Sequence, residues 1–184
     1  CGRLESGAAG KAQGVRQVSC IPSHLYDQEP GTLLAEYHLP EKFVYLPNQF
    51  WKHKNHVLAF QAARILKDRG APVTIVCSGF PGDYRHPEYF GELWQKLSEW
   101  DIREQVVYIG QVPHEHVLLL MRQCVCVLNP SLFEGWGITV DEARWIGKQV
   151  LLSDILAHRE QSPPQATYFH PRDAEGLADC LATM

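Results

Sequence analysis

The chain has 184 residues, 45% of them hydrophobic, and a net charge of −4 with both signs interspersed. That is enough for one domain with a sizeable core and excludes a disordered chain. It gives no basic nucleic-acid face, no apolar run of transmembrane length and no visible signal peptide, so a cytoplasmic setting is expected. The six cysteines form no short disulfide framework, and buried, reduced thiols are expected. Cys124 and Cys126 are read on one face of a strand. The first residue is Cys1 rather than Met, and the chain is expected to be part of a longer protein.

In chain order, residues 1–14 are rich in Gly, Ala and Ser and are expected to be flexible. Residues 15–22 suit a short strand, and 23–40 an irregular segment with a helical turn at 33–37. Residues 1–40 are therefore an extension, and 41–184 the globular domain. A strand is predicted at 43–47, a polar aromatic loop at 48–53 and a helix at 55–69, with Leu58, Ala62, Ile65 and Leu66 at helical spacing and Gly70 ending it. Lys54 opens that helix. A strand at 72–77 closes at Ser78-Gly79, a loop covers 80–87, and a helix spans 88–100. A third strand at 106–109 ends at Gly110, and a short helix follows at 115–122. The fourth strand is placed at 124–128, followed by a glycine turn and a helix to Gly147. Strands at 150–152 and 168–169 and a helix at 174–181 complete the chain.

Strands alternating with helices predict an α/β fold: a Rossmann-like parallel sheet with helices on both faces. Ligands of such sheets sit at the carboxyl ends of the strands. The positions to inspect are thus Pro47-Asn48, Ser78-Gly79, Gly110-Gln111 and residues 129–137. The last of these runs into Ser131-Leu132-Phe133-Glu134-Gly135-Trp136-Gly137-Ile138-Thr139-Val140-Asp141-Glu142-Ala143. Two glycines flank one aromatic between two glutamates eight positions apart. A strand, a glycine turn and a helix start expose backbone N–H groups and the positive end of a helix dipole to an anion such as phosphate. The carboxylates would repel a phosphate but accept from hydroxyl groups. Phosphate together with hydroxyls describes a nucleotide sugar.

The pattern Ser-x-x-Glu-Gly-Trp-Gly-x-x-x-x-Glu-Ala is similar to the signature of glycosyltransferase family 4, with Trp136 where Phe is commoner. The resemblance covers residues 43–181. It implies the C-terminal, donor-binding half of a retaining GT-B enzyme whose missing N-terminal domain binds the acceptor, residues 1–40 belonging to the interdomain segment. By resemblance, Lys54 contacts the donor diphosphate and stabilises the leaving group, Glu134 holds the donor sugar at the reacting carbon, and Glu142 accepts from the ribose. Gly135, Trp136, Gly137 and Ile138 supply N–H groups. Gly79 and the loop Gly110-Gln111-Val112-Pro113 border phosphate and base, Val112 through its main chain. The second cation that many members carry falls on Asn48 when counted back from Lys54, so Lys52 or the missing domain would have to compensate. The run Asn48-Gln49-Phe50-Trp51-Lys52-His53-Lys54-Asn55-His56 looks like the loop of transferases that build bacterial surface polysaccharides with mannose or rhamnose. The full-length protein would then be peripheral to the inner face of a membrane.

Each of these residues has a plainer alternative. Lys54 could be a solvated lysine, the glutamates helix-terminal acids, Gly79 and residues 110–113 ordinary turns, and Trp136 part of the core. No metal is expected: His114-Glu115-His116 and His53-x-x-His56 lack further ligands at a telling distance, and the chain has no Asp-x-Asp pair. The P-loop pattern is absent, and Gly135-Trp136-Gly137 has Val140 where the dinucleotide fingerprint needs glycine. No context supports a lysine-bound pyridoxal phosphate. A nucleotide-binding module without catalysis of its own and a divergent oxidoreductase remain as the other readings.

Overall fold

Six short strands run parallel in one sheet: β1 (Val44–Leu46), β2 (Ile75–Cys77), β3 (Val106–Tyr108), β4 (Cys126–Asn129), β5 (Val150–Ser153) and β6 (Ala166–Phe169). The computed structural model describes residues 31–184, so the flexible stretch expected at 1–14 and the strand expected at 15–22 lie outside the described residues. Among the described residues seven α-helices connect and cover the strands: α1 (Gly31–Glu36), α2 (His56–Asp68), α3 (Tyr89–Glu99), α4 (His114–Gln123), α5 (Ile138–Ile146), α6 (Leu156–Gln161) and α7 (Ala174–Ala182). Among the described residues no helix is long and apolar enough to cross a membrane.

The strands are apolar without alternation because both faces of the sheet are covered. Val44, Leu46, Ile75, Cys77, Cys126, Leu128 and Leu151 point into one core, closed by α2, α3 and α7. Tyr45, Val76, Val127, Val150 and Leu152 point into the other, closed by α4 and α5. Leu33 of α1 joins this second core at 6% exposure, so packing extends to residues before 41.

The strand order is β3-β2-β1-β4-β5-β6. The chain builds outward from β1 through β2 to β3, then returns to place β4 on the other side of β1. Two connections therefore leave the β1/β4 junction in opposite directions, which opens a crevice at the carboxyl ends of those two strands.

The structure corrects three local expectations. The apolar run at 124–128 is not one strand, because α4 continues to Gln123 and Cys124 caps it, its N–H bonded to Leu120 O and its Sγ to Met121 O. Cys124 consequently packs in the α4/α5 core and Cys126 in the opposite one. Lys54 does not open α2. It ends a 3-10 turn, Lys52–Lys54, and Asn55 in left-handed conformation (φ 58°) breaks the chain before His56. That break is held from outside, since Asn55 Nδ2 donates to the carbonyls of Pro130 and Pro171, each at 3.0 Å. Finally, α6 was missed: at six residues it is too short to show a helical period.

Candidate functional site

The crevice is floored by two amides. Asn48 follows β1 and Asn129 ends β4, and Asn48 Nδ2 donates to Asn129 Oδ1 at 3.2 Å. Both side chains are buried. Gly79, at the end of β2, backs this floor rather than lining the cavity. Its φ is +138°, and a Cβ there would stand 2.5 Å from the carbonyl oxygen of Asn48. Only glycine permits that approach. The Gly79 backbone is fixed on both sides, by N–H donation to Gly110 O and by the Tyr108 hydroxyl donating to its carbonyl.

Above the floor, Lys54 Nζ lies 2.6 Å from Glu134 Oε1 across 80 residues of sequence. The side chains are 15% and 7% exposed, so the pair is largely withdrawn from water. The same carboxylate oxygen accepts from Ser131 Oγ at 2.7 Å, and Ser131 Oγ is also 2.7 Å from Asn129 Oδ1. The two loops that carry Lys54 and Glu134 are tied together by Leu132 N–H donating to His53 O at 2.8 Å. His53 stacks on Phe133 with ring centroids 4.5 Å apart, and burial followed by the Lys54 charge lowers its pKa.

The third wall is the start of α5. Pro47, Asn48, Gln49, Trp51, Lys54, Asn129, Glu134, Trp136, Gly137, Ile138 and Thr139 line a cavity of about 240 Å³. Ile138 and Thr139 open the helix, so their N–H groups have no intrahelical acceptor and point with the dipole toward the cavity. Gly137 differs from expectation. Its N–H already donates to Gln161 Oε1 at 3.2 Å, and Gln161 Nε2 donates back to its carbonyl at 2.8 Å. This clamp from α6 takes the Gly137 N–H away from a ligand. Trp136 is not core: it is 41% exposed, and its Nε1 donates to Asp141 Oδ2 at 2.6 Å. Gly135 precedes it on the same loop without lining the cavity.

Glu142 sits four residues inside α5, 7% exposed, and Oε1 bonds His114 Nε2 at 2.6 Å. His114 is the first residue of α4, just after Val112 and Pro113 on the loop following β3. The structure thus brings the Val112 loop and Glu142 together at one flank of the crevice, outside the cavity that holds Lys54 and Glu134. Reading the sequence missed His114 as a partner of Glu142, because the pairing depends on the α4–α5 packing. It also missed Gln49 and Thr139, which line the cavity just outside the inspected positions, whereas Asn129 and Ser131 fall within the inspected run 129–137 but were given no role.

Behind the loop, His56 is fully buried, stacked on Phe50 at 4.1 Å. Among the described residues neither ring nitrogen meets hydrogen-bond geometry with a partner, although the backbone of Asn48 lies close enough to oppose the effect of burial on its pKa. Burial pushes its pKa down to about 3, so the ring is neutral. Among the described residues no three His, Cys, Asp or Glu side chains converge where they could hold a metal ion. The described cysteines are all free, and Cys77, Cys124 and Cys126 are buried.

The model of the family of glycosyl transferases group 1 matches residues 36–184. The chain belongs to this family. Among curated relatives it is 25% identical over 131 residues to the O-antigen chain mannosyltransferase RfbU of Salmonella typhimurium, covering 71% of this chain and 35% of that protein. It is 24% identical over 143 residues to the alpha-1,3/1,6-mannosyltransferase ALG2 of Dictyostelium discoideum, covering 70% and 34%. The chain therefore spans about a third of the length of these relatives. The fold is that of solved glycosyltransferases. HepE of Anabaena, solved in complex with UDP, superposes with a TM-score of 0.74 at 20% identity, over 84% of this chain and 42% of that one. The C-terminal domain of the group 1 protein LpcC of Francisella tularensis superposes with a TM-score of 0.70 at 21% identity, over 85% and 82%. That last match is to a separate C-terminal domain, and it covers most of both chains.

Proposed function

We propose that this chain is the donor-binding domain of a retaining glycosyltransferase that moves a hexosyl group, mannose or rhamnose, from a nucleoside diphosphate to an acceptor hydroxyl in surface-polysaccharide synthesis. The observation that carries the reading is the Lys54–Glu134 pair. It stands at the switch point of the sheet, beside the positive end of α5. A cation and a helix start suit a diphosphate, and a carboxylate beside them suits the hydroxyls of the attached sugar. Two mannosyltransferases among the relatives support the choice of sugar, and a fold shared with a protein solved with UDP supports a nucleoside diphosphate.

In this reading Lys54 leaves Glu134 when the donor arrives and neutralises charge on the departing diphosphate. Glu134 orients the sugar, and Glu142 takes the ribose once His114 releases it. The acceptor attacks on the face the diphosphate leaves, and the diphosphate helps to remove the acceptor proton. No metal takes part. The cavity of about 240 Å³ falls below the roughly 300–1,000 Å³ of complete small-molecule sites, which fits a half-site completed by an acceptor-binding N-terminal domain.

The test is a calorimetric and thermal-shift panel of nucleoside diphosphates and their sugars, with and without a chelator. The 184-residue chain is expected to bind one diphosphate weakly, indifferent to the chelator, and to transfer no sugar, because half of the alignment is missing. Failure to bind any nucleoside diphosphate sinks the proposal. Robust transfer by the chain alone would sink the half-site reading.

A further inference from the structure

Ser131 carries one hydroxyl proton, and two oxygens compete for it: Asn129 Oδ1 and Glu134 Oε1, each 2.7 Å from Oγ. Beside that shortage lies a surplus. Asn129 Nδ2 is buried and donates to nothing among the described residues, although an amide nitrogen carries two protons. The donor and acceptor inventory of the crevice is therefore unbalanced by one amide.

One rotation gives every one of these protons an acceptor and moves the unpartnered atom of Asn129 from its nitrogen to its oxygen. The oxygen and nitrogen of an amide exchange places when the group turns by 180°, with no change of shape. A turned Asn129 presents Nδ2 to the lone pair of Ser131 Oγ. Ser131 then commits its proton to Glu134, the stronger, charge-assisted acceptor. Asn48 accommodates the turn by rotating its own amide, whose one side-chain bond is to Asn129. The result is a chain from Asn48 through Asn129 and Ser131 to Glu134, closed by Lys54, in which every proton between neighbouring groups has one acceptor.

We infer that Asn129 is a positioning residue for Glu134, its amide turned to donate to Ser131 so that Ser131 still holds Oε1 when Lys54 moves to the diphosphate, and Oε2 is the oxygen presented to the donor sugar. Its burial at 1% exposure in the cavity floor suits this role, since little of the side chain is left for a ligand to touch. The inference rests on the proposed sugar-facing role of Glu134.

The first measurement needs only the 184-residue chain. The side-chain amide protons of Asn129 are assigned in ¹⁵N NMR spectra by their loss in N129D, and compared between the wild type and S131A. A turned amide loses its acceptor in S131A, so its protons shift and exchange with water at least about tenfold faster. Unchanged amide protons in S131A overturn the inference. The second measurement uses the full-length enzyme. S131A and N129A are each expected to lower kcat about ten- to hundredfold and to leave the affinity for free nucleoside diphosphate unchanged. Loss of nucleotide affinity in step with kcat would show that the chain merely holds the cavity together, and would overturn the inference. A wild-type chain that binds no nucleoside diphosphate removes the donor reading itself, and with it the role given to Glu134, whatever the NMR comparison shows.

Discussion

His114 Nε2 stands 2.6 Å from Glu142 Oε1, on a helix start 28 residues earlier in the chain. The carboxylate is nearly enclosed while the imidazole is 65% exposed. His114 thus occupies the group that the donor reading assigns to the ribose. A ribose must displace it, and a bond whose imidazole lies largely in water offers little resistance, about 0–1 kcal/mol. His114→Ala is expected to raise nucleoside diphosphate affinity roughly two- to fivefold and to leave the melting temperature unchanged. Calorimetric titration of both forms checks this. A large loss of affinity in the variant would instead make His114 a ligand contact.

Lys54 is paired with Glu134 at 2.6 Å. If it transfers its contact to the diphosphate, Lys54→Ala should weaken nucleoside diphosphate binding about ten- to hundredfold, the worth of a charged hydrogen bond. The nucleoside without phosphates should bind both forms alike. Equal diphosphate affinities would confine Lys54 to a structural ion pair.

Gly79 tests how rigid the floor is. A methyl group there meets the Asn48 carbonyl at 2.5 Å and inherits a φ of +138°. Gly79→Ala is expected to cost about 1–3 kcal/mol of stability. Gly91, inside α3 with nothing within 4 Å of its added Cβ, is the control: Gly91→Ala should stabilise by roughly 0.5–1 kcal/mol. Urea unfolding of the three proteins gives the comparison, and a Gly79→Ala chain as stable as the wild type would contradict the close approach.

His56 should make the fold acid-sensitive. Its ordinary pKa of 6.5 falls to about 3 through complete burial. Between those values the unfolded chain binds a proton that the folded chain refuses. Stability therefore declines as pH drops from about 6.5, by up to about 1.4 kcal/mol per pH unit for this one group. Above that pH it contributes no slope. His56→Phe keeps a ring against Phe50 and removes the proton. Its stability between pH 6 and pH 4 should fall less steeply than that of the wild type, by close to one proton's worth. Parallel slopes would mean that His56 is protonated within the fold.

Much of this architecture was legible in the residues. Apolar runs separated by helical periods gave the parallel sheet, and the rule that ligands gather at strand ends led to Asn48, Asn129 and the Glu134 loop. Lys54, Glu134, Trp136 and Ile138 do line one cavity. Pairings across long separations were not legible. Asn55 reaches Pro130 and Pro171, and Gln161 clamps Gly137, through loops whose approach is set by the folded sheet. Local periodicity also could not tell the last residue of a helix from the first of a strand, which is why Cys124 was placed beside Cys126 on one face. The commitment of the Gly137 N–H to Gln161 shows the same limit at the site itself: a glycine turn signals a place for an anion without telling which N–H groups are already taken.

The two glutamates should divide the donor between them. Glu134 precedes α5 and Glu142 lies four residues inside it, on the flank bounded by His114. At 1.5 Å rise per residue, that places Glu142 roughly 6 Å along the axis from the helix start. A diphosphate at the helix start then has one carboxylate on either side. Glutamine in place of each keeps the shape and removes the charge. Glu142→Gln should weaken free nucleotide and nucleotide sugar alike, and analogues lacking a ribose hydroxyl should be less sensitive to the change. Glu134→Gln acts differently because Glu134 also holds Lys54. Without the carboxylate, Lys54 is free to meet the diphosphate, so free nucleotide should bind as well as before or better. Turnover of the full-length enzyme should nevertheless fall, since the lost contact is at the reacting sugar. Calorimetry with free nucleoside diphosphate, beside a rate measurement for both variants, separates these outcomes. If Glu134→Gln abolishes nucleotide binding while Glu142→Gln spares it, the two roles are exchanged.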